Sequence, residues 1–260
     1  MVAHAIQRVR ELTAGTYTGI VAAVILLSWL AFALLPQHAG AHSQAPAGEH
    51  SMHGMQHAGM APIPTPVTHQ PVLWIAIIAW IVMTVAMMGP ATLPSVRYIE
   101  QTTSRGRRGG VIVLYGAVWL SVWTVIGVIV ALAQSAAVGA SPWWLFTGAL
   151  VVATLWQLTP LKRRALGDCH ASRPLPPTGW PAAQGAIRFG AFGGWACVRS
   201  CWAVMLAMAL APTAHIVWMV PLTVAVTWER FTQSPRRTAR VLAGVFAVAA
   251  AAVGVFAAIQ

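Results

Sequence analysis

The sequence predicts an all-α, polytopic membrane helix bundle of about seven transmembrane helices. Three observations predict it. The 260 residues are 58% apolar and only 8% charged, with a mean hydropathy of +0.68, outside the range of an ordinary soluble domain. Apolar runs of about twenty residues, the length that crosses a bilayer, recur along the chain. The basic residues sit in short clusters between alternate runs, which is the orientation signal of membrane helices.

The runs lie near 16–35, 72–89, 111–134, 143–161, 190–211, 213–229 and 239–259. The first is preceded by Arg8 and Arg10 and followed by Ala39-Gly40-Ala41. A retained helix therefore competes with a cleaved signal peptide, which would leave six helices. The sixth run is short and carries Pro221, which predicts a kink or a tilt. Arg97, Arg105, Arg107 and Arg108 separate the second and third runs. Lys162, Arg163, Arg164, Arg173 and Arg188 separate the fourth and fifth, and Arg230, Arg236, Arg237 and Arg240 the sixth and seventh. Fifteen of the sixteen basic residues thus fall on one side, which is cytoplasmic by the positive-inside rule. The expected location is a bacterial inner membrane, with the N-terminus inside and Gln260 outside. The chain divides into a first helix or signal-like segment (1–36), an extracytoplasmic loop (37–71) and a six-helix membrane domain (72–260). The formal charge of +11 does not point to nucleic acid, because the charges are not gathered into a phosphate-tracking patch. Three Cys, none on the outer side, argue against a disulfide framework.

The outer loop has no Lys or Arg, and holds six of the nine His and three of the ten Met. Its donors are His38, His42, Glu49, His50, Met52, His53, Met55, His57, Met60 and His69. Imidazole takes Cu(II) or Cu(I), and thioether is soft enough to prefer Cu(I). Polar linkers are ordinarily rich in Ser, Gln, Glu and Lys. The loop therefore reads as a copper-collecting segment, against the competing reading of a flexible loop of biased composition.

Two membrane runs carry sulfur on one face. In the second, Met83 and Met87 are one turn apart with Trp80 above them, and Met88 follows. In the fifth, Cys197, Cys201, Met205 and Met208 form one continuous stripe. Met83 and Cys197 each lie seven residues from the cytoplasmic end of their runs, so both clusters reach one depth if the helices are neighbours. Gly190-x-x-x-Gly194, with Gly193, predicts close approach of another helix. The competing reading is ordinary packing, since Met and Cys are good apolar fillers. Arg199 is the one basic residue inside a run, so it is a functional candidate unless it snorkels to the cytoplasmic surface or pairs with Glu229. Between two Cys it would also favour thiolate. His215 lies one turn from Met219 and reads as an interfacial histidine or a ligand. Cys169-His170, expected in a cytoplasmic loop, reads as a Cu(I) acceptor or as an inert pair.

Three segments together carry a resemblance: Met83-Thr84-Val85-Ala86-Met87-Met88-Gly89-Pro90, Leu158-Thr159-Pro160-Leu161-Lys162 and Cys197-Val198-Arg199-Ser200-Cys201-Trp202-Ala203-Val204-Met205. Trp218-Met219 and Glu229-Arg230 complete it. Over roughly 72–230 the chain resembles a bacterial family known only as predicted metal-binding integral membrane proteins, a domain of unknown function. The resemblance implies metal but names neither the metal nor a reaction. The chain departs from that family at Ser200 and near Ala165, where relatives carry Cys. It also departs at Arg199 (a small residue there), at His170 (Arg) and near His215 (Asn). Two fewer thiols shift the weight of a site onto Met.

The expected function is membrane copper handling. The outer loop captures Cu(I) or Cu(II), the intramembrane Met and Cys faces pass or store Cu(I), and Cys169-His170 receives it. The chain has no P-loop and only five acidic residues, so no nucleotide motor is apparent and enzymatic activity is not expected. Two alternatives stand beside it. One is an accessory subunit or metal-delivery factor of a membrane oxidoreductase, and the other a structural subunit with incidental metal binding. The expected partners are the bilayer, the metal ion, and a copper chaperone or membrane oxidase or monooxygenase subunits. A haem or a di-metal centre lacks its His and carboxylate ligands.

Overall fold

In hydrocarbon a backbone must satisfy its own polar groups, so long apolar runs become long helices. The computed structural model describes residues 15–34, 70–136, 141–171, 174–176, 179–212, 215–232 and 235–259, and every regular element among them is helical. The elements are α1 (Thr16–Leu34), α2 (Gln70–Met88), a 3-10 turn (Gly89–Thr92), α3 (Leu93–Thr102), α4 (Arg108–Ala136), α5 (Pro142–Leu158), α6 (Pro160–His170), α7 (Gly179–Ala209), α8 (His215–Phe231) and α9 (Pro235–Ile259). The loop donors His38 to His69 lie outside the described residues.

Five of these helices or joined helices are long and apolar enough to cross a membrane, and α5 with α6 gives a sixth if that bent pair is one span. The sixth expected span, α8, has 17 residues with Pro221 inside it and is not among these. At 1.5 Å per residue it covers about 26 Å, the short end of what a bilayer requires. Large apolar side chains face outward, among them Leu26 at 65% and Val248 at 71% exposure. On a water-soluble surface such a display would be an association liability, and against lipid it is the required one.

Proline sets the breaks. Pro90 has no N–H to give the Ala86 carbonyl, the partner four residues back in a continuous helix. The Trp29 indole N–H of α1 donates to that carbonyl instead, at 3.0 Å. Gly89 is required at the same crossing, because a Cβ there would lie 2.6 Å from the Ile25 side chain. Glu100 holds the start of α1: its carboxylate accepts from the Tyr17 backbone N–H at 2.9 Å and from the Thr18 hydroxyl. This satisfies amide groups that a helix N-terminus leaves open and places negative charge at its positive end. Leu158-Thr159-Pro160 makes the other break, where the axes of α5 and α6 turn by 76°. Thr159 is extended ahead of the proline, and its side chain caps α6 by accepting from the Lys162 N–H at 3.2 Å.

The expected close approach at Gly190 and Gly194 is to α4. A Cβ on Gly190 would lie 2.7 Å from the Tyr115 carbonyl oxygen, and one on Gly194 would lie 3.3 Å from that of Trp119. Trp80 seals α2 against the same helix, its indole N–H donating to the Trp123 carbonyl at 2.9 Å. Around this crossing lies the central buried cluster, built from α1, α2 and α4 to α9.

Candidate metal centre

The central cluster collects the sulfur of the membrane domain. Met83, Met87, Met88, Cys169, Cys197, Cys201, Met205, Met208 and Met219 are all buried members of it. Both faces belong to one buried cluster, but α2 and α7 are not among the helix pairs in substantial contact; each packs on α4 and α8 instead. Along α7 the order Cys197, Cys201, Met205, Met208 carries sulfur through about 16 Å of membrane depth, at 1.5 Å per residue.

Cys169 does not sit in a loop. It lies in the last turn of α6, and the 76° bend after α5 folds that helix against α7. Its sulfur is 3.5 Å from the Ser200 hydroxyl oxygen. That same oxygen is 3.3 Å from the Cys201 sulfur and bonds to the Cys197 carbonyl at 2.9 Å. Ser200 thus stands between thiols of α6 and α7. None of the three Cys is in a disulfide. His170 ends α6 and His215 opens α8, and their side chains are outside the described set.

The charges are arranged differently from the sequence expectation. Arg199 is partly exposed and pairs with Asp168 of α6. Glu229 is therefore not its partner. The carboxylate of Glu229 meets the Lys162 ammonium at 2.8 Å, with side chains only 4% and 2% exposed. From sequence alone Lys162 is one more cytoplasmic charge. The signal that it turns inward was Thr159-Pro160, which starts a helix and places Lys162 on its first turn. Arg230 donates to the carbonyls of Cys169 at 2.7 Å and Ala91 at 3.3 Å. The ends of α6, α8 and the 3-10 turn therefore meet at one end of the bundle. There a narrow cleft with about 10 Å³ of free room, enough for one water, is lined by Ser95, Tyr115, Asp168, Cys169, Cys197 and Arg230.

Among the described residues, no three His, Cys, Asp or Glu side chains form a group able to hold a metal ion. No closed nitrogen-and-oxygen or all-thiolate site is therefore built among the described residues. What is built is a set of thiols and thioethers, donors that suit Cu(I) and suit hard cations poorly.

A family model matches residues 77–253, which take in all three resemblance segments; its family is described as a copper chaperone. The chain belongs to the PpoB2 copper chaperone family. The metal-linked bacterial family that the sequence resembled is in accord with this, and membership ties the chain to copper. No curated protein and no solved structure matches it. As a PpoB2 family member the chain presents its soft donors in a helical membrane-type core; the contacts of Ser200, Lys162 and Arg230 are not foreseen from sequence.

Proposed function

We propose that the chain is a membrane copper chaperone that holds Cu(I) on the thiol and thioether faces of its helix bundle and passes it to an acceptor. The observation that carries this reading is the gathering of three free Cys and six Met into one buried cluster. Cys169 and Cys197 of that cluster border the cleft at the end where α6 and α8 meet. Soft donors spaced along α7 allow Cu(I) to exchange one ligand at a time, without release of a bare ion into hydrocarbon. The His/Met segment 37–71 collects copper on the outer side, where imidazole accepts Cu(II) and thioether Cu(I). Cys169 belongs to the intramembrane set in this reading and stands nearest the cleft. Delivery to a soluble chaperone or to a membrane oxidoreductase fits the family description.

The test is anaerobic Cu(I) retention by the purified full chain and by a chain lacking 37–69, against a competing chelator. Met83→Leu with Met87→Leu keeps apolar volume, at a cost usually below about 1.5 kcal/mol, and removes two soft donors. Copper retention should fall while thermal stability holds. Cys197→Ser with Cys201→Ser should lower it likewise, and joining the pairs should add little, as for ligands of one centre. Additive losses would indicate two separate sites. No loss from either pair in the shortened chain would return both faces to ordinary packing.

A further inference from the structure

A second recess lies away from the sulfur cluster. Where α5 ends, α6 begins and α9 begins, an open groove of about 360 Å³ is lined by Gln157, Leu158, Arg163, Arg236, Ala239 and Arg240. The three arginines come from two helices and are exposed. No carboxylate answers them among the described residues. The chain has five acidic residues. Of these Glu100 holds α1, Asp168 holds Arg199 and Glu229 holds Lys162, and the other two, Glu11 and Glu49, lie outside the described residues.

The position of the groove selects its occupant. Arg236 opens the membrane-length segment Arg236–Ile259, so the arginines stand at the level where a helix leaves hydrocarbon. Leu158 and Ala239 supply an apolar wall beside them. Three guanidinium groups above an apolar wall suit a phosphate diester whose acyl chains run down into the bilayer. We propose that this groove binds one anionic glycerophospholipid, with its phosphate held by Arg163, Arg236 and Arg240. The bound lipid bridges α6 to α9, two helices that share no other ion pair among the described residues.

The full chain, purified in a neutral maltoside detergent, is titrated with phosphatidylglycerol, with phosphatidylcholine and with inorganic phosphate, and bound lipid per chain is read by native mass spectrometry. One phosphatidylglycerol should bind per chain, with neither phosphatidylcholine nor millimolar phosphate displacing it. Arg163→Gln with Arg236→Gln and Arg240→Gln should weaken that binding about 100-fold, as expected for three basic contacts near a membrane surface. Arg105→Gln with Arg107→Gln and Arg188→Gln removes the same charge elsewhere and should change it less than about three-fold. Arg163→Gln alone guards against a triple variant that does not fold, and should weaken binding about five-fold. The proposal is overturned by equal binding of phosphatidylcholine, by displacement with inorganic phosphate, or by equal loss in the control variant. An unaltered affinity in Arg163→Gln overturns it as well.

Discussion

The Cys169 sulfur lies 3.5 Å from the Ser200 hydroxyl oxygen, across the contact between α6 and α7. Ser200 also stands 3.3 Å from the Cys201 sulfur, at a position where the resembling family carries Cys. Ser200→Cys would put a third soft donor between the other two without a change of size that the buried site must absorb. Cu(I) should then be retained about ten-fold more tightly against a chelator, within the range that neighbours of metal ligands usually command. Ser200→Ala should leave retention nearly unaltered. If Ser200→Cys binds copper no better than the parent chain, the thiols around it are not acting as copper ligands.

The Lys162–Glu229 pair predicts an asymmetry. Removing one member of a buried ion pair strands the other charge, at a cost of about 3–5 kcal/mol, whereas replacing both with apolar groups is often neutral. Lys162→Met should therefore lower the thermal midpoint or the yield sharply, and Glu229→Leu should do the same. Lys162→Met with Glu229→Leu should recover most of the loss. If the double variant is as unstable as the sum of the singles, the pair is not a closed unit.

The helices were legible because a bilayer demands long apolar runs, and 16–35, 111–134 and 239–259 fall within a few residues of α1, α4 and α9. The stripe Cys197, Cys201, Met205, Met208 was legible for a similar reason: helical spacing places it on one face, and that face is buried. What escaped was long-range. Lys162 looks like any cytoplasmic charge until the bend at Thr159-Pro160 aims it at Glu229. Cys169 looks like a loop residue until the same bend lays α6 on α7. The helix α7 also starts at Gly179, well before the apolar run at 190, and at Gly185 it packs against Leu175 and Pro176.

Gly190 and Gly193 are close in sequence and different in surroundings. A Cβ at Gly190 meets the Tyr115 carbonyl oxygen at 2.7 Å, whereas at Gly193 the nearest atom is the Tyr115 hydroxyl at 3.4 Å, an ordinary contact. Gly190→Ala must push α7 away from α4, since a carbonyl oxygen cannot rotate aside. Overpacking of this kind costs about 1–3 kcal/mol. Gly193→Ala should be neutral or slightly stabilising, because alanine favours helix over glycine. Thermal unfolding of the two variants in one detergent separates these outcomes. Equal midpoints would mean that the α4–α7 crossing is looser than the described contact.

If the His/Met segment collects copper as proposed, it should separate copper oxidation states by pH. A peptide covering His38 to His69 holds six imidazoles and three thioethers. Imidazole is a ligand only when neutral, so protons compete with metal as pH falls below about 6. Thioether carries no proton to compete. Cu(II), which depends on nitrogen donors, should be lost from the peptide as pH falls from 7 to 5. Cu(I) should weaken less, because Met52, Met55 and Met60 continue to hold it. Replacing those three Met by Leu should make the two pH profiles converge, with Cu(I) now following the imidazoles. Chelator competition at each pH reads both curves. Cu(II) binding that ignores pH, or zinc held as tightly as Cu(I), would show that this segment is not a copper collector.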